Sequence, residues 1–302
     1  MSFLVNVLEA MLRVSTPLAL GSSGEVVTER SGVLNLGIEG TMYAGAFFGF
    51  YAAYQTDSRW VGLAVAIAVG ALAGALLSFL VVTLGVNQHT AGLGMTIFLI
   101  GTSEFVNRAA LGTGFGTSLK VETFGVIKPF GLGGIAAQYG MTYVTLLIVV
   151  PCLWWMLRHT SLGLAITAVG ENPEAADVAG INVKLTRYIA LIIGGMLMAA
   201  GGAFLTLATL GSFTLDIIAG RGWVCLALVI FGRWGVFRAL AGGLLFSFVY
   251  ALQFRLRLLD AWQGVPFELL LALPYLITIV ALVASGRNAK YPGAYLKPYR
   301  RA

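Results

Sequence analysis

Nine mostly apolar runs, each about 15 to 24 residues long, follow one another along the chain, and that succession excludes most folds available to a chain of this size. A helix needs about 20 apolar residues to cross roughly 30 Å of hydrocarbon. The runs lie at 3–21, 33–53, 61–84, 90–110, 139–157, 188–210, 218–232, 239–254 and 266–285, with 218–232 and 239–254 the shortest. Of the 302 residues 58% are hydrophobic and only 11% charged, where soluble domains carry about 25% charge. The 39 glycines would weaken helices in water, but they suit helices that approach closely inside lipid. The expectation is an all-α polytopic transmembrane bundle of about eight to ten spans, nine by this reading, with residues 1–302 forming one membrane domain.

Charge gives the orientation. Cations are scattered through the loops, without the basic face interleaved with aromatics that a nucleic-acid surface needs, so no nucleic-acid partner is expected. The densest group is the basic tail at 286–302, with Arg287, Lys290, Lys297, Arg300 and Arg301. Placing it inside puts eleven of the nineteen Lys and Arg on the inner side, in 22–32, 85–89, 158–187, 233–238 and the tail. Nine spans then leave the N-terminus outside, whereas an even count, or a re-entrant segment near 85–100, would put it inside. The first twenty residues lack a secretory cleavage pattern and are read as a retained helix. Segment 111–138 is Gly- and Thr-rich, and an external loop with a short helix lying on the membrane is expected there.

Chemical signatures are few. No Gly-Lys-Ser/Thr phosphate loop is present, so no ATP site is expected in this chain, and any ATP must be bound by a partner. His89 and His159 stand on different loops without Cys or carboxylate neighbours at metal-ligand spacing, and no metal is expected. Cys152 and Cys225 sit in apolar runs and are read as buried free thiols.

Between 158 and 187 lies the most informative stretch, Gly170-Glu171-Asn172-Pro173-Glu174-Ala175-Ala176-Asp177-Val178-Ala179-Gly180-Ile181. Asn172 is a good N-cap, Pro173 fits the first helical position, Glu174 complements the helix dipole and Gly180 can end the helix. A two-turn helix isolated between two spans is expected. So short a helix is marginal without packing, so it either docks on a partner or lies against its own bundle.

This stretch resembles the cytoplasmic coupling segment of ATP-binding-cassette permeases of the branched-chain amino acid, ribose and nucleoside importer group. Glu29-Arg30-Ser31-Gly32-Val33-Leu34-Asn35-Leu36-Gly37-Ile38-Glu39-Gly40 resembles the motif opening the second span in the simple-sugar and nucleoside subgroup. Ala219-Gly220-Arg221-Gly222-Trp223 and Phe231-Gly232-Arg233-Trp234 extend the resemblance into the second half. The resemblance implies a type II-like importer permease in a bacterial inner membrane, with its C-terminus cytoplasmic and no cofactor of its own. It implies ATPase subunits, a second and longer permease paralogue, a periplasmic or lipoprotein binding protein, and nucleosides or a related simple sugar as cargo. It assigns ATPase contact to Glu171, Asn172, Pro173, Glu174, Ala175, Ala176, Asp177 and Gly180.

Polar groups inside spans face protein or water, because lipid leaves them unsatisfied. Asn35, Glu39, Gln88, His89 and Glu104, with Asn107 nearby, are therefore candidates for a translocation pathway or for ties between helices. Asn35 and Glu39, four apart, are expected on one helix face. Asp216 and Arg221 are expected at the external mouth. Gly45/Gly49 and Gly70/Gly74 suit a dimer face or close packing within one bundle. Two rivals remain. An ion-driven carrier or channel would want several carboxylates at the midplane, and a lipid-processing enzyme would want a cluster of His, Asp or Glu at the surface.

Overall fold

The computed structural model describes residues 3–112, 119–129, 133–256, 266–286, 290–297 and 299. Each of the nine apolar runs contains a helix: α1 (Phe3–Arg30), α2 (Ile38–Thr56), α3 (Arg59–Ser78, continuing through a π turn to Thr83), α4 (Gln88–Leu111), α5 (Gly140–Val144) joined through a π turn to α6 (Val150–His159), α9 (Val183–Phe204, continuing to Leu210), α10 (Arg221–Phe231), α11 (Val236–Leu256) and α12 (Phe267–Gly286). Two short helices, α7 (Ser161–Glu171) and α8 (Pro173–Val178), connect α6 to α9. Five helical runs, Phe3–Arg30, Arg59–Thr83, Gly140–His159, Val183–Leu210 and Val236–Leu256, are long and apolar enough to cross a membrane.

Several boundaries differ from expectation for identifiable reasons. Helix α1 does not stop at 21 but runs on through 22–30, because its carboxylates Glu25 and Glu29 are buried with partners and the helix need not end where charge begins. The second run opens with a non-helical stretch, 31–37, so Asn35 precedes α2 and does not share a helix face with Glu39. Helix α10 has 11 residues, about 16 Å, too short to cross hydrocarbon alone. Among the described residues of 111–138 there is no long surface helix. That segment instead pairs two short strands, β1 (Val126–Ile127) and β2 (Gln138–Tyr139), with a 3₁₀ turn at Gly134–Ala136 just before β2.

Helix α2 is the centre of the bundle, with Met42, Phe47 and Phe50 fully buried and α3, α4 and α9 packed around it. Glycines allow these approaches. A Cβ on Gly24 would lie 2.7 Å from the carbonyl oxygen of Gly194, and Gly45 and Gly70 meet the backbones of Ala199 and Gly195. Gly45/Gly49 and Gly70/Gly74 therefore pack inside this one chain.

The two ends of the chain share one architecture. Helix α1 packs along α9 and α11, and α9 packs along α1 and α3. Gly24 faces Gly194 while Pro17 and Leu20 face Gly201, so α1 and α9 run antiparallel. In each quartet, α1–α4 and α9–α12, a long helix leads into a span whose first part is not helical. The second quartet thus repeats the first in inverted orientation, an architecture found in membrane transporters. Residue identity alone had not revealed this relation.

Candidate functional site: two interrupted spans meeting at Glu39

Non-helical backbone is tolerated at membrane depth only where protein or water satisfies its polar groups. The 31–37 stretch rises from the end of α1 to the start of α2, and six of its seven residues are buried. Most of its backbone polar groups are matched. The N–H groups of Ser31 and Gly32 donate to the carbonyls of Thr28 and Glu29, at 3.0 and 2.9 Å. The Ser31 carbonyl accepts from Arg187 Nε at 3.2 Å, and the Gly32 carbonyl from Leu296 N at 3.2 Å. Leu34 N donates to Gln88 Oε1 at 2.9 Å, and Asn35 N to Glu25 Oε1 at 3.0 Å. Gly37 N donates to Asn35 Oδ1, and Thr96 Oγ1 to the Leu36 carbonyl, both at 2.9 Å. Gly32, at φ +86°, makes the turn that starts this stretch.

The second interruption is 211–220. It descends beside α2 and plants Phe213 between Tyr43 and Phe47, with ring centroids 5.4 and 5.2 Å away. Ala219 and Gly220 both have positive φ, and α10 then begins with its first N–H groups inside the protein. Glu39 satisfies them. Its Oε1 accepts from Gly220 N at 2.8 Å and its Oε2 from Gly222 N at 2.7 Å. A carboxylate at a helix N-terminus is favoured both by those donors and by the dipole. Arg221 gives its guanidinium to the carbonyls of Ile217 and Ile218, each at 2.9 Å. Asp216 is exposed, and Arg221, half-buried, is committed to the turn rather than to an open ion pair.

The other expected site residues separate into groups. Gln88 joins the 31–37 network, whereas His89 is exposed at the start of α4 and joins nothing near Glu39. Glu104 is half-buried, 3.8 Å from Arg108 and 3.5 Å from the Tyr43 hydroxyl. Asn107 is also half-buried, and its Oδ1 has no hydrogen-bond partner among the described residues. Cys152 is exposed and Cys225 buried, both free.

The α8 region matches its sequence signals closely. Asn172 Oδ1 caps Ala175 N at 3.0 Å, Pro173 opens the helix and Gly180 leaves it at φ +85°. The helix is not isolated, because α7 leads directly into it and the two pack together. Ala176, expected to face a partner, is buried against Val169 and Val183, so this small side chain lets α8 sit on its own bundle. The opposite face is open: Ala175 and Ala179 are exposed, and Val178 is 91% exposed.

Four network residues escaped sequence reading: Glu25, Glu29, Arg187 and Thr96. Glu25 and Glu29 fell within a presumed loop. Their four-residue spacing at the end of an apolar run was the available signal. Glu29 accepts from Trp234 Nε1, and burial nearby pushes up the pKa of Tyr295, which lies outside the spans.

A family model described as the branched-chain amino acid transport system / permease component matches residues 7–282. A protein of Haloferax volcanii provisionally named as the glucose ABC transporter permease TsgC13 is 37% identical over 260 residues, 84% of this chain and 79% of that one. The guanosine ABC transporter permease NupQ of Bacillus subtilis is 31% identical over 312 residues, covering 97% of this chain and 96% of its own. The nucleoside ABC transporter permease NupC of Lactococcus lactis is 32% identical over 296 residues, 90% and 89% of the two chains. No solved structure matches. A helical bundle with two interrupted spans, matched to that family model over nearly its whole length, belongs to the permease family of ATP-binding-cassette importers named for branched-chain amino acid transport.

Proposed function

We propose that this chain forms part of the path by which nucleosides enter a cell, in a complex with ATPase subunits, a second permease and an external binding protein. The observation that carries the cargo is that two relatives named for nucleosides align over nearly the full length of both partners. A sugar is the second reading, favoured by the relative named for glucose.

In the sequence, the segments 22–32, 85–89, 158–187, 233–238 and 286–302 hold eleven of the nineteen Lys and Arg, so the end of the bundle where their described residues gather, with Arg30, α7 and α8, faces the cytoplasm. The exposed face of α8, with Glu174, Ala175 and Val178, and its flanking residues Glu171 and Ala179 meet the ATPase there. Asn172, Pro173, Asp177 and Gly180 shape and hold that helix. Closure of the ATPases pushes α8 and shifts the bundle between two packings. The half-helix α10 and the 211–220 stretch, held at Glu39, move relative to the fixed centre of α2. Glu39 acts here as a latch, Asn35 and Gln88 hold the centre, and Glu104 lines the external half. His89, exposed at the cytoplasmic end, lies away from the path.

Uptake of labelled nucleosides and sugars by cells carrying and lacking the gene tests the cargo. Loss of nucleoside uptake on deletion is expected. Loss of sugar uptake alone would replace the reading with its rival. For docking, Val178→Asp and Ala175→Pro should abolish capture of the ATPase by an inserted permease. Ala176→Trp should instead lower the stability of the bundle itself.

A further inference from the structure

The tail after α12 does more than carry charge. Its described residues, 290–297 and 299, run across the cytoplasmic end of the bundle and touch three separate parts of the chain. Gly293 N donates to Glu171 Oε2 at 3.2 Å and Ala294 N to the Gly170 carbonyl at 2.8 Å, which fastens the tail to the end of α7. Tyr299 Oη donates to Asp177 Oδ2 at 3.0 Å, which fastens it to α8. In the other direction, Leu296 N donates to the Gly32 carbonyl at 3.2 Å, and the Lys297 carbonyl accepts from Arg187 Nη1 at 3.4 Å. Tyr291 and Tyr295 pack on Trp234, with ring centroids 4.8 and 6.2 Å away.

These contacts form a bridge between two places that have little else in common. Helix α8 itself packs on α7 and, through Ala176, on Val183 at the start of α9. Gly170 closes the gap from the α7 side, since a Cβ there would lie 3.2 Å from Gly32 N. The strap adds hydrogen bonds to each partner across that gap. Ala294, 3% exposed, is as buried as a core residue, and its carbonyl oxygen would lie 3.1 Å from a Cβ on Gly32. A tail tied down only for stability needs no hydroxyl on α8. A tail that transmits displacement needs a tie at each end, and both are present.

We infer that residues 290–297 together with Tyr299 form a positioning strap that transmits displacement of α8 to the 31–37 segment, so that movement at the ATPase reaches the centre of the bundle. The inference rests on the reading of α8 as the ATPase contact. Coupling energies of this kind typically correspond to changes of about 5- to 150-fold. Loss of one tie should therefore cost coupling without costing assembly.

The test uses the whole reconstituted complex with Tyr299→Phe, which removes only the hydroxyl, and Gly293→Val, whose Cβ would lie 2.5 Å from the Glu171 carbonyl oxygen. Three quantities are measured: ATPase captured per inserted permease, ATP hydrolysis without cargo, and cargo moved per ATP hydrolysed. Capture and basal hydrolysis should stay at wild-type levels in both variants, while cargo per ATP falls about fivefold in each. A merely structural tail would lower the amount of folded complex and leave cargo per ATP unchanged. That result, or wild-type behaviour in both variants, overturns the strap. Val178→Asp, run beside them, isolates the underlying reading. If that change leaves capture intact, the docking reading fails on its own, whatever the strap variants do.

Discussion

The two interrupted spans solve the same problem by different means. In 31–37 the non-helical backbone is wired at nearly every residue, by side chains from α1, α4 and α9 and by the tail. In 211–220 a smaller share of the backbone is held. The Gly211 carbonyl accepts from Val121 N, Gly220 N donates to Glu39, and Arg221 donates to the carbonyls of Ile217 and Ile218. Short turns close Thr214 on Ile217 and Ile218 on Arg221, and Phe213 packs its ring. A segment tied to several helices by most of its groups shifts as a unit. A segment held at few points can deform, with its low-stability contacts opening first. The inverted repeat therefore holds a stiff half and a compliant half, and the latch between them is Glu39.

That contrast can be broken most forcefully at the latch. Glu39→Leu leaves the Gly220 and Gly222 donors without an acceptor, and losing hydrogen bonds to a charged group costs about 1.5–3 kcal/mol. Uptake per inserted molecule in proteoliposomes should fall about 100-fold, consistent with that range at RT ln 100. Glu39→Gln, which retains an acceptor oxygen, should fall less, about tenfold. Wild-type uptake in the Leu variant would remove Glu39 from the mechanism.

The stiff half should respond in stability rather than in transport. Glu25→Ala strands the Asn35 N–H, while the Thr28 hydroxyl keeps the backbone carbonyl of residue 25, and thermal unfolding in detergent should show a loss of about 2 kcal/mol. Uptake per folded molecule should change little. Gln88→Leu frees only the Leu34 N–H and should cost about 1.5 kcal/mol by the same measurement. Thr96→Val removes one neutral donor to Leu36 and should cost about 1 kcal/mol. If any of these three lost transport before stability, the division into stiff and compliant halves would be wrong.

Apolar periodicity located a helix in every one of the nine runs, and cap chemistry located α8 to within its terminal residues, because both are local signals. What stayed hidden depended on partners distant in sequence. Gly32, Asn35 and Gly37 are the local signals of a break, but glycines are spread through most spans of this chain, so they do not single the segment out. It stays non-helical because Glu25, Gln88, Thr96 and Arg187 supply its hydrogen bonds from three other helices. Glu39 was picked out correctly as an interior carboxylate, but its partners are backbone groups 181 and 183 residues away, beyond any spacing rule. Ala176 was misplaced for the same reason, because a small residue fits a partner's groove and its own bundle equally well.

The division between the halves is open to one direct observation, backbone hydrogen exchange across the assembled complex with and without ATP turnover. Exchange in 211–220 should rise during turnover, while 31–37 keeps the protection it has at rest. Equal change in both segments, or change confined to 31–37, would contradict it.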